Sequence, residues 1–132
     1  MAVPRVAVDA IVLHRGKLVL VKRGTPPFLG QYALPGGGVE FRERLEDAVE
    51  REVREETGLV AETVRLLGVY GDPDRDPRGH TISIAYVLNS IGGRLKAGTD
   101  ASDAKLVPLT RVPRLAFDHS RIVEDYRRSL KG

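Results

Sequence analysis

The chain has 132 residues, enough for one domain with a sizeable core, and its 42% hydrophobic and 30% charged residues are those of a globular protein rather than a disordered one. Cysteine is absent, which excludes disulfides, thiolate metal sites and thiol nucleophiles, and His14, His80 and His119 are too scattered for a local zinc motif. The net charge of +3 arises from 21 basic residues interspersed with 18 acidic ones and no Trp, a pattern that argues against a nucleic-acid surface and suits a small polyanionic ligand.

Arg5 to His14 alternates and is rich in Val and Ile, which predicts a strand; Arg15-Gly16 turns it into a second strand, Lys17 to Lys22. Residues 23–31, with Gly24, Pro26, Pro27 and Gly30, form a loop, and Tyr32 to Leu34 a short strand running into a Pro35-Gly36-Gly37-Gly38 loop. From Arg44 to Thr57, Leu45, Ala48, Val49 and Val53 recur at helical spacing, and Gly58 follows as a natural C′ residue. Val64 to Tyr70 reads as a strand, residues 71–80 as a polar loop and Thr81 to Leu88 as a central strand. A Gly92-Gly93 turn precedes a strand near Lys105 to Val107. A closing helix runs from Asp118, expected as its N-cap, to Leu130, with Ile122, Val123, Tyr126 and Leu130 facing the core. The order predicts one domain over residues 1–132, a mixed β-sheet flanked by helices. No apolar stretch is long enough to span a bilayer and the N-terminus has no signal-peptide pattern, so a cytoplasmic protein with no membrane partner is expected.

The charges of the first helix divide into two sets. Asp47 with Arg51 and Glu50 with Arg54 have the favourable acid-before-base i,i+4 spacing. Glu52, Glu55 and Glu56 do not fit that pattern. They crowd the last two turns, where the helix dipole disfavours anions by about 0.3–1 kcal/mol each, and like-charged pairs add about 0.2–0.5 kcal/mol. A bound cation would reverse this penalty, and three hard oxygen ligands point to Mg²⁺ or Mn²⁺. Gly36-Gly37-Gly38 would let backbone approach a phosphate or metal closely, although it lacks the Gly-Lys-Ser/Thr ending of a P-loop.

Gly37, Glu43, Arg51, Glu52, Val53, Glu55, Glu56, Gly58 and Leu59 together match the Nudix box, G-x5-E-x7-R-E-U-x-E-E-x-G-U, at every defined position. The chain therefore resembles the Nudix hydrolases. The resemblance implies an α/β/α sandwich and hydrolysis of a nucleoside diphosphate linked to another moiety. It also implies Mg²⁺ held by Glu52, Glu55 or Glu56 and the Gly37 carbonyl, with Arg51 and Glu43 as orienting residues. Arg42 and Arg44 flank Glu43 where family members often carry a small residue and a Ser or Thr, which bears on how the helix starts.

The segments 71–80, with Pro73, and Leu115 to His119 are similar to the ADP-ribose pyrophosphatase branch, which implies a nucleotide substrate, AMP and ribose 5-phosphate as products, and a homodimer. Glu52 is the first choice of general base, with Asp103 and, more weakly, Asp100 as loop alternatives. Arg23, Arg75 and Arg78 are candidate phosphate clamps, while Phe28, Tyr32 and Tyr70 are expected in the core. Hydrolysis of oxidised nucleoside triphosphates or dinucleoside polyphosphates, and a non-catalytic nucleotide-sensing domain, are the competing readings.

Overall fold

The computed structural model describes residues 2–96 and 103–131. Its elements are β1 (Arg5–His14), β2 (Lys17–Lys22), β3 (Tyr32–Ala33), β4 (Gly36–Gly38), α1 (Leu45–Thr57), β5 (Leu59–Tyr70), β6 (Thr81–Gly93), β7 (Ala104–Val107) and α2 (His119–Ser129), with a short 3₁₀ turn at Leu109–Arg111. The strands form one seven-stranded mixed sheet in the order β3-β2-β1-β6-β5, with β4 paired to β1 and β7 to β2. Only β1 and β6 run parallel, over Arg5–Leu13 and Thr81–Asn89; the other pairs are antiparallel.

Strand alternation decides which helix each side chain meets. Val8, Ala10 and Val12 of β1, with Val19, Tyr86 and Leu88, pack under α1 through Ala48, Val49 and Val53. Ile11, Leu18, Leu20, Ala85 and Val87 face the other way, against Ile122, Val123 and Tyr126 of α2. The result is the expected helix–sheet–helix sandwich. Leu130 departs from expectation: it lies beyond the last turn of α2 and is 58% exposed.

The glycine triplet is a strand rather than a loop, pairing Gly36, Gly37 and Gly38 with Asp9, Val8 and Ala7. It fits because it has no side chains: a Cβ on Gly36 would sit 2.3 Å from the Val8 carbonyl oxygen, and one on Gly37 would sit 2.6 Å from the Glu52 carboxylate. β1 thus changes partner along its length, from β4 beside Ala7–Asp9 to β2 beside Leu13–His14. β5 begins directly after α1 at Leu59, and β6 runs past Leu88 through Gly93. Their ladder absorbs three register shifts, so the Gly92-Gly93 pair lies within the strand. No described helix is long and apolar enough to cross a membrane.

Candidate active site

Helix α1 is held at both ends by backbone devices. Gly58 takes the left-handed C-cap conformation (φ 81°) and donates its N–H to the Arg54 carbonyl at 3.0 Å. At the start, Arg44 occupies the cap position without a side-chain cap bond, and Arg42 adopts φ 66° in the left-handed region that favours glycine.

The two expected i,i+4 pairs do not form. Glu50 instead accepts bonds from the Thr63 N–H and hydroxyl, tying α1 to β5. Arg51 turns away from Asp47 to the box glutamates. Its Nε and one Nη donate to both oxygens of Glu43 at 2.8 and 2.9 Å, the other Nη donates to Glu52 at 2.7 Å, and a further bond reaches the Gly38 carbonyl at 3.1 Å. A planar five-donor fork can bridge these groups at once, whereas Asp47 would have offered a single solvated contact. Bonds from Arg51 and the Glu40 N–H hold the Glu43 carboxyl down at about 2, and its glutamate partners raise the Arg51 pKa still further.

Glu52 and Glu56, one turn apart, both reach the glycine strand. The Glu52 carboxylate lies against Gly37, and Glu56 accepts the Gly36 N–H at 2.7 Å. Burial raises the Glu52 pKa despite the bond from Arg51. Burial, reinforced by the charges of Glu52 and Asp9, pushes Glu56 up to about 7 against the opposing pull of Gly36 and Arg23. Glu55 points outward, with a side chain 59% exposed and 3.5 Å from Arg51. Two desolvated, mutually repelling carboxylates beside open backbone fit a hard divalent cation. Among the described residues no group of three His, Cys, Asp or Glu side chains is gathered to hold a metal alone. A cation here would therefore draw further oxygens from the main chain, the substrate or water, as Mg²⁺ commonly does.

Beside Glu56 opens a cavity of about 370 Å³ lined by residues of β1, β2 and β4. Arg5, Lys22, Arg23, Arg75 and Arg78 line it together with Glu56. Arg23 bonds the Pro27 carbonyl through Nε at 2.7 Å and has no carboxylate partner among the described residues. Arg78 forks onto buried Asp76 but keeps a side chain 49% exposed. Both guanidiniums lie over the ring of Phe117, 4.9 and 5.5 Å from its centroid, and Phe28 meets that ring edge-on at 4.8 Å. Phe28 thus packs against a cavity-lining ring rather than in either core cluster, and both phenylalanines adopt positive φ, 62° and 55°. Tyr32 and Tyr70 do pack against the core, Tyr70 donating to Asp125 at 2.8 Å.

Arg75 is not an unengaged phosphate clamp. Its side chain is 5% exposed and grips both oxygens of Asp118, at 2.9 and 2.6 Å, with Asp9 3.6 Å away. Asp118, expected to cap α2 with its side chain, makes no cap bond because Arg75 engages that carboxylate. Asp103 accepts the Lys22 N–H through its backbone at 2.9 Å, and its carboxylate is not among the groups lining the cavity; Asp100 lies outside the described residues.

Asp9 is a buried site residue that motif reading passed over. It accepts the Ser83 hydroxyl at 2.5 Å and lies 3.4 Å from Nε2 of buried His119, whose Nδ1 accepts the Leu34 N–H at 3.0 Å. Burial acts to raise the Asp9 pKa, but His119, Ser83 and Arg75 together hold it below the ordinary value. The available signal was an acid placed among the core-facing positions of an otherwise apolar strand.

The NUDIX domain family model matches residues 3–126. An ADP-ribose pyrophosphatase from Methanocaldococcus jannaschii is 54% identical over 129 residues, covering 98% of this chain and 76% of the relative. A putative 8-oxo-dGTP diphosphatase from Bacillus subtilis is 32% identical over 120 residues, covering 89% of this chain and 76% of that one. Among solved structures, the NUDIX domain of NrtR from Shewanella oneidensis complexed with ADP ribose superposes with a TM-score of 0.86 at 32% identity, covering 98% of this chain and 90% of that one. NrtR has also been solved with a 27mer DNA; there the match covers 95% of this chain and 61% of that one, with a TM-score of 0.74 at 31% identity. A family match running almost from end to end, over a complete box folded against its glycine strand, makes this protein a member of the Nudix hydrolase family, which generally requires a divalent metal.

Proposed function

We propose that residues 1–132 form one cytoplasmic hydrolase domain that cleaves ADP-ribose to AMP and ribose 5-phosphate, with Mg²⁺ as its working cation and Mn²⁺ as a substitute. The observation that carries this reading is the lining of the cavity. One cavity is lined by Glu56, which bonds the glycine strand where the Glu52 carboxylate also lies, and by Arg23 and Arg78, so a metal-binding carboxylate and phosphate-binding guanidiniums share the space a diphosphate would fill. The 54% identical ADP-ribose pyrophosphatase supports the choice among nucleoside diphosphate derivatives.

The divalent cation, held by Glu52, Glu56 and the Gly37 carbonyl with Glu55 at the edge, would neutralise phosphate charge and acidify the attacking water. Glu52 accepts that water's proton as its oxygen bonds to one phosphorus and the bridging P–O bond breaks. Burial has already raised the basicity of Glu52, and the Glu43–Arg51 fork fixes its orientation. Arg23 and Arg78, which line the same cavity, bind the anionic substrate. The homodimer implied by the resemblance is supported by apolar residues exposed along the sheet edge, Val64, Leu66 and Val69 on β5 and Ile91 on β6.

The test is a substrate panel with Mg²⁺ and with Mn²⁺, with products identified by chromatography. AMP from ADP-ribose at the highest kcat/KM is expected, and a strong preference for oxidised nucleoside triphosphates or dinucleoside polyphosphates rejects the assignment. A second reading, a nucleotide sensor, draws on the NrtR domain with ADP ribose and on its DNA complex. It predicts ADP-ribose binding with no metal-dependent turnover of any panel member.

A further inference from the structure

Arg75 lies deeper than a ligand-binding arginine needs to, and its contacts explain why. The 71–80 loop is folded on itself: the Asp72 side chain accepts the Asp74 N–H at 2.8 Å, and Asp76 accepts the Arg78 N–H at 2.9 Å. Its one charged link to the start of α2 is the fork from Arg75 onto Asp118. Phe117, the residue before Asp118, carries the ring on which the Arg78 and Arg23 guanidiniums rest, and it is held at φ 55°. A phenylalanine in that region is strained and persists only where its surroundings impose the conformation. Here the Ala116 N–H bonds the Tyr32 carbonyl on one side and Arg75 fastens Asp118 on the other. The Asp9 oxygen that accepts the Ser83 hydroxyl lies 3.6 Å from Arg75, while its other oxygen lies against Gly36 of the glycine strand.

We propose that Arg75 is a positioning residue for substrate recognition: its clasp on Asp118 and Asp9 locks the 71–80 loop to the entrance of α2 and thereby sets Arg78 and Phe117 as the cavity's outer wall. Arg75 itself does not touch the substrate; it acts through Arg78. The inference rests on the hydrolase reading above and adds a division of labour among its arginines. Lysine at position 75 keeps the buried charge but loses the fork, since one ammonium cannot bond both Asp118 oxygens in the guanidinium's geometry.

The experiment is a double-mutant cycle with Arg75→Lys and Arg78→Ala, measuring kcat and KM for ADP-ribose. Arg75→Lys should raise KM roughly tenfold while kcat stays within about threefold, the signature of lost uniform binding. The double variant should be no worse than Arg78→Ala alone, because each step removes the same contact. Asp118→Asn opens the clasp from its other end without removing a buried cation. It should reproduce the KM effect even if Arg75→Lys folds poorly.

Multiplicative effects at positions 75 and 78 overturn the proposal, since they mean Arg75 binds the substrate independently. Unchanged kinetics in both Arg75→Lys and Asp118→Asn, or a loss confined to kcat, also overturn it. Calorimetric titration with ADP-ribose in EDTA repeats the cycle without turnover. Wild-type binding in EDTA with no turnover once Mg²⁺ or Mn²⁺ is restored rejects the hydrolase reading but leaves the clasp to be decided by this binding cycle; no wild-type binding either with or without the metals overturns both.

Discussion

Replacing Glu56 by Gln should stabilise the metal-free protein, although it removes a site carboxylate. Burial pushes the Glu56 pKa from its ordinary 4.5 to about 7. Between those values the folded chain holds a proton that the unfolded chain has released. The contribution of Glu56 therefore falls as pH rises through the window, and its full cost persists above it. Each pKa unit corresponds to about 1.4 kcal/mol, so the ionised side chain costs roughly 2–3 kcal/mol above pH 7 after discounting for its remaining solvent contact. Glutamine keeps an oxygen for the Gly36 N–H while carrying no charge to desolvate.

Urea denaturation in EDTA from pH 4.5 to 8.5 measures this directly. The difference between Glu56→Gln and wild type should be near zero at the acid end, grow through neutrality and level off at roughly 2–3 kcal/mol, with m unchanged. Saturating Mg²⁺ or Mn²⁺ should narrow the gap by stabilising the wild type preferentially. A variant that is less stable than wild type at pH 8 in EDTA, or a gap that does not vary with pH, refutes the reasoning. It would mean that the carboxylate is solvated or neutralised by the protein itself.

Glu52→Gln should lower kcat at saturating Mg²⁺ by more than about tenfold, equivalent to at least about 1.4 kcal/mol of barrier; a smaller loss removes Glu52 as the essential base. Arg42→Gly should raise stability by about 0.5–1 kcal/mol, because φ 66° is strained for arginine and natural for glycine; thermal denaturation at one fixed pH checks it.

The box glutamates and their arginine could be read without coordinates because the helix period alone places Glu52 and Glu56 one turn apart, in a helix that Gly58 ends. Apolar alternation in β1 and β6 and the stripe on α1 likewise announced a sheet covered by helices. These are local signals, set by the two periodicities of the backbone. The same local reasoning misassigned groups whose partners lie far along the chain. Arg51 had a reasonable neighbour in Asp47, yet folding brought Glu43 and the Gly38 carbonyl within reach of its fork. Asp118 was an apt cap until Arg75 engaged it.

Tertiary structure also decided the role of the glycine triplet. Spacing says only that it is pliable; the side chain of Asp9 behind Gly36 and that of Glu52 against Gly37 leave no room for a Cβ at those two positions of the strand. Burial, which no single residue encodes, separates Glu56 from the more exposed Glu55 and leaves Arg75 inside while Arg78 stays at the surface. Sequence by itself determined which chemical groups this protein carries and on which elements. Only long-range packing determined which of those groups lose their water, and desolvation is what turns a cluster of carboxylates into a site that a cation would complete.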